Sequence, residues 1–140
     1  MGIALINKRN LLVHELYKRG IDELFEEISL EGIIGFKYLE DERQCDLMLV
    51  LDESNYSVGI ITIHRIDKEL NKLILIAYLN ELNEKYRTSK FYINDCNEVV
   101  GQIGYIASDR NFDASVFLTA VLVLYKQVLE EEAALIRSIS

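Results

Sequence analysis

Apolar residues recur at helical spacing from the start of the chain. Leu12, Val13, Leu16 and Tyr17 form an i, i+1, i+4, i+5 stripe, with Asn7 and Asn10 as candidate caps. Leu24, Phe25 and Ile28 keep helical spacing beyond Gly20. Residues 8–28 therefore read as helix with a break at Gly20, since glycine is common just past a helix end. Three strands follow: Gly32–Leu39, Cys45–Leu51 and Val58–Arg65. The connectors Glu40-Asp41-Glu42-Arg43 and Asp52-Glu53-Ser54-Asn55 have turn composition, so the strands should form an antiparallel meander.

A second helix is predicted over residues 67–86, with Asp67 as its N-cap. Leu75, Tyr78, Leu79, Leu82 and Tyr86 share one face, and Leu70, Leu73, Ile74 and Ala77 the adjoining one. Glu69, Lys72, Asn80 and Asn83, with Ile76 among them, leave only a narrow polar edge. An apolar arc of roughly 240° is much wider than a surface helix needs. This helix should touch two surfaces, one of them the sheet, the other a helix or a second subunit. Strands at 89–94 and 98–106 form a hairpin about Asn94-Asp95-Cys96-Asn97. Gly101 and Gly104 within it predict close approach of something packed on the hairpin. Asp113 caps a last helix over 114–137, whose polar stripe is Thr119, Lys126, Glu130 and Arg137. It too expects contact on more than one side, and a crowded intramolecular core is the alternative for both wide arcs. The order α-β-β-β-α-β-β-α gives an α+β class: a five-stranded antiparallel sheet with helices packed against it, in a single domain over residues 1–140.

With 140 residues, half of them apolar, the chain can bury one real core. Its net charge of -8 argues against nucleic acid and against an acidic membrane surface, and favours solubility or a basic partner. Charges at Lys8-Arg9 follow the apolar Ile3–Ile6 run, the reverse of a signal peptide. The longest apolar run, Val116–Tyr125, falls far short of the about 18–20 residues of a membrane span. Cys45 and Cys96 form no C-x-x-C pair, so reduced thiols in a cytoplasmic protein are expected.

No catalytic or metal constellation stands out. His14 and His64 lie in no zinc spacing, and a site joining them to Cys45 and Cys96 needs four remote positions to converge. The Asn94–Glu98 stretch lacks the glycine and glutamate of a calcium loop, and reads as a turn. Gly101-Gln102-Ile103-Gly104 lacks the lysine of a phosphate loop. Asp41, Glu42, Asp46, Asp52 and Glu53 read as turn charges, and Asn55-Tyr56-Ser57 as a chance match to a glycosylation acceptor. No enzyme activity and no cofactor are expected. Asn80 and Asn83 each cost a helix a few tenths of a kcal/mol, which points to side-chain hydrogen bonds with a neighbouring loop or strand end.

Leu79-Asn80-Glu81-Leu82-Asn83 leading into Lys90-Phe91-Tyr92-Ile93 and the Asn94–Asn97 turn, with this element order, resembles the YbjN-type domain, a bacterial family sharing the fold of type III secretion chaperones. The local match runs from Leu70 to Ser138; the N-terminal third matches in element order alone. The resemblance implies a small, acidic, dimeric cytosolic protein that holds an extended partner segment on apolar surface. The expected function is a non-enzymatic protein-binding module: chaperone, adaptor or regulator, and a homodimer. The alternatives are an acidic inhibitor of a basic toxin and a small-ligand sensor. Leu75, Tyr78, Leu79, Leu82 and Tyr86 are the candidate contacts with a partner or second subunit.

Overall fold

The structure is a computed structural model that describes residues 2–39, 46–66 and 72–139. Helix α1 (Ile3–Lys18) buries Leu5, Lys8, Leu12 and Leu16 at successive turns. Its end is set by Gly20, which adopts φ +70°. The Gly20 amide donates to the Tyr17 carbonyl (3.0 Å) and the Ile21 amide to the Leu16 carbonyl (3.0 Å). This pair of bonds is a Schellman closure, and it turns the chain out of the helix.

The expectation that helix resumes through Ile28 is corrected here. A single 3-10 turn at Asp22–Leu24 leads into strand β1 (Phe25–Leu30). Phe25 lies on the helix-covered face of the sheet, paired with Tyr38, while Ile28 lies on the opposite face, paired with Gly35. An edge strand with one partly buried residue per face shows no alternation, so its apolar spacing of three imitates a helix.

Strand β1 turns through Glu31-Gly32, with Gly32 at φ +74°, into β2 (Ile33–Tyr38). Strands β3 (Asp46–Asp52) and β4 (Tyr56–Arg65) complete the meander. Then come α2 (Lys72–Lys85), the hairpin β5 (Lys90–Ile93) and β6 (Glu98–Ile106), and α3 (Ala114–Ile139). Among the described residues the sheet has six strands rather than five, all antiparallel, in the order β1-β2-β3-β4-β6-β5. Thus β6 pairs along β4, and β5 is left as the far edge. The Asp67 cap, Glu69 and Leu70, and the Asp41, Glu42 and Cys45 assignments lie outside the described residues.

The three helices pack on one face of the sheet, where Ile34, Phe36, Leu47, Leu49, Leu51, Ile61 and Ile103 are buried. Helix α3 is capped as expected, its Val116 amide donating to Asp113 Oδ1 (3.1 Å). It lies across β4 and β6 and touches α1 and α2 as well. These contacts bury Phe117, Leu118, Val121, Leu124, Val128 and Leu135. Thr119, Lys126, Glu130 and Arg137 face outward together with the apolar Val116, Leu122, Val123 and Ile136, so the wide arc is only partly filled within the chain. Close approach depends on glycine at Gly59, where a Cβ would lie 2.6 Å from Val121 Cγ2. The hairpin glycines face opposite sides: Leu124 and Val128 of α3 pack over Gly101, and the Tyr56 ring covers Gly104.

Lys8 is fully buried within the apolar stripe of α1. Its Nζ donates to the Ser54 carbonyl (2.7 Å), with the Ser57 hydroxyl at 3.4 Å, tying α1 to the β3–β4 turn. Burial lowers its pKa, opposed by the charges of Asp52, Glu53 and Asp109. Arg9 bridges from α1 to the β1 edge through Glu27 (2.7 Å).

Candidate protein-binding surface

Helix α2 presents only a narrow stripe to the interior. Leu75, Leu79 and Leu82 are buried against β5 and α3, and Leu79 is 3% exposed. These three candidate contact residues are therefore core positions that face inward. Tyr78 and Tyr86, the other two, lie at the rim, where they meet Glu131 of α3. The Glu131 carboxylate accepts hydrogen bonds from the Tyr78 hydroxyl (2.5 Å), the Tyr86 hydroxyl (3.0 Å) and the Lys85 ammonium (2.8 Å). Burial alone would raise the Glu131 pKa, but the three donors outweigh it and hold the carboxyl below its ordinary value. Burial, and then the bond to Glu131, pushes the Tyr78 hydroxyl well above the ordinary tyrosine range. The cluster pins α2 to α3.

The rest of the apolar arc of α2 faces outward. Leu73 is 81% exposed and Ile74 64%, with Ile76 and Ala77 beside them. Hydrophobic spacing alone could not tell the buried stripe from this outer surface, because both halves of the arc are equally apolar.

The polar edge of α2 forms one wall of a groove of about 620 Å³, whose other wall is β5. Lys72, Ile76, Asn80 and Asn83 line it from the helix side, and Lys90, Tyr92 and Ile93 from the strand side. At Phe91 the strand edge is closed by a side chain. Asn83 Nδ2 donates to the Phe91 carbonyl (2.9 Å), and the Phe91 amide donates to Asn83 Oδ1 (2.6 Å). The strand-end hydrogen bonding expected of the paired asparagines is made by Asn83. Asn80 makes none among the described residues and lines the groove. In an antiparallel pair, alternate residues direct both backbone groups away from the partner strand. Phe91 is such a residue, so Ile93 is the next, and its outward amide and carbonyl find no partner among the described residues.

The remaining candidates do not converge. His14, on α1, and His64, on β4, are exposed, and Cys96 is exposed at the hairpin tip. Among the described residues no three of His, Cys, Asp and Glu gather as a metal-holding group. Asp52 Oδ1 accepts the Ser54 amide (2.8 Å), and Glu53 Oε1 accepts the Gly2 amide (2.5 Å), so these carboxylates serve local structure. Asn94 Oδ1 accepts the Cys96 and Glu98 amides (3.0 and 2.9 Å), which builds the predicted turn. Among the described residues no helix is long and apolar enough to cross a membrane.

A chain of the crystal structure of the ExsC–ExsE complex superposes on this one with a TM-score of 0.60 and 14% identity, over 96% of this chain and 97% of that chain. The two chains share a fold. At this identity the likeness concerns the fold alone, and it spans the N-terminal third as well as the Leu70–Ser138 region. No protein-family model matches the sequence, and no curated protein matches it significantly.

Proposed function

We propose that this chain is a non-enzymatic, YbjN-type protein-binding module that acts as a chaperone or adaptor. It holds an extended segment of a partner protein in the groove between α2 and β5. The observation that carries this reading is the β5 edge at Ile93, whose outward backbone groups have no partner among the described residues, in a groove lined by the exposed Ile76 of α2. A sheet edge offers main-chain hydrogen bonds to any extended segment, and neighbouring apolar side chains add burial. The ExsC–ExsE structure holds a complex, and its fold is this chain's fold, which supports a partner-binding role.

We assign Ile76 to the partner, because it lines the groove, and Leu73 and Ile74 to contact with a second copy, because they lie off the groove and expose the most apolar surface of α2. Two variants separate these roles. Ile76→Asp should abolish recovery of the partner that the native protein retains on affinity capture, with the oligomer mass unchanged. Leu73→Asp should lower the mass by light scattering and leave capture intact. Retention of the same partner by Ile76→Asp would remove the groove from the reading, and an unchanged mass for Leu73→Asp would remove the homodimer.

A further inference from the structure

Given that the groove is the partner site, we propose that it takes an acidic, extended segment by strand addition on β5, and that Asn83 occupies this edge until the segment displaces it. The carboxamide of Asn83 presents one acceptor and one donor to the backbone of Phe91, at 2.6 and 2.9 Å. That is the pattern a residue of an added strand presents in an antiparallel ladder. Asn83 thus stands in for one residue of a missing seventh strand. Two residues along, the matching groups of Ile93 have no such substitute among the described residues. The edge is half closed, and the open half is where an incoming strand can start.

Edge strands are commonly blunted by charge, proline or bulges. Here the blunting group is a neutral side chain on the neighbouring helix, held by two part-buried hydrogen bonds, each of modest net worth. An added strand replaces both bonds with its own backbone and gains those at Ile93, so the exchange favours the segment. The side chains it turns toward α2 meet Ile76 and Asn80. Those on the other face lie beside Tyr92 and Lys90, whose ammonium sits 4.9 Å from the Tyr92 ring centre. Lys72 closes one end of the groove, with its ammonium 3.3 Å from Asn97 Oδ1. Among the described residues, two lysines against the single carboxylate of Asp95 line a groove in a chain of net charge -8. The charge of the groove is therefore opposite in sign to that of the whole protein, and it selects acidic side chains.

The test is an NMR titration with a synthetic pentapeptide of alternating valine and glutamate. The expected result is slowed hydrogen exchange at the Ile93 amide and binding to Asn83→Ala about tenfold tighter than to the native protein, because two competing hydrogen bonds are gone. The same peptide N-methylated along its backbone should not bind, a control that needs no substitution in the protein. A lysine counterpart should bind more weakly than the glutamate peptide. Equal affinity for the native and Asn83→Ala proteins overturns the role of Asn83. An unprotected Ile93 amide at saturation overturns strand addition, and equal binding of the lysine peptide overturns the acidic preference. If the peptide fails while Ile76→Asp still loses the captured partner, strand addition falls and the groove remains the partner site.

Discussion

Leu79 shows how a residue on an apolar helix face takes its role from what lies beside it. With 3% exposure it belongs to the core. Leu79→Ala should cost about 2–5 kcal/mol in denaturant unfolding, the usual range for a leucine cavity. A surface residue would cost less than about 0.5 kcal/mol. The candidate face was legible in the sequence as a face, but its direction was not: the stripe through Leu75, Leu79 and Leu82 and the group Leu73, Ile74 and Ile76 differ in burial and hardly in chemistry. Asn83 was more legible. Two asparagines in a helix oppose local propensity, and that cost announced a hydrogen bond, although only the fold could supply Phe91 as its partner. Lys8 gave a weaker signal. A lysine in register with Leu5, Leu12 and Leu16 reads as an interruption of the stripe until Ser54 and Ser57 are seen to receive it.

Among the elements, α2 is held to α3 by its buried leucines and, at the rim, by one carboxylate. The Glu131 pKa is lower in the folded protein than in the unfolded chain, so its contribution is present above the ordinary carboxylate range and is lost as pH falls through the folded value. Tyr78 works in the opposite direction. Its raised pKa gives a contribution that is present below the ordinary tyrosine range and is lost as pH rises through the folded value. Unfolding free energy against pH should therefore fall at both extremes. Glu131→Gln should lower stability by about 1–3 kcal/mol at neutral pH, because two tyrosine hydroxyls and an ammonium lose a charged acceptor. It should also flatten the acid limb of the profile. An acid limb as steep as that of the native protein would show that other carboxylates govern it. The elements themselves were mostly readable. Strands β2 to β6 and helix α3 follow from apolar and β-branched runs, the turn residues that bound them and a capping aspartate. Strand β1 does not, because an edge strand buried on neither face carries no period for the sequence to display.

For the whole molecule, the α+β class and the helices laid against an antiparallel sheet follow from element order. The position of β6 beside β4 does not. Hairpin composition states that β5 and β6 pair, but it is silent on which of them joins the meander. The deciding feature is the complementarity of ten residues of β4 to nine of β6, with Gly59 and Gly101 on the face that receives α3. That choice leaves β5, the shorter strand, at the margin, and so it creates the groove on which the functional reading depends. Acidity at this scale describes the protein as a solute, and the two lysines of the groove describe what it selects.

The insertion of β6 between β4 and β5 also has a consequence during synthesis. The first four strands can form a meander once residue 65 has left the ribosome, but β4 then ends it with a ten-residue backbone edge that β6 covers in the finished fold. From there until β6 begins at Glu98, the nascent chain carries an unpaired template of the kind that captures foreign strands. Once β6 is in place that edge is paired along its length, so the exposure is confined to synthesis.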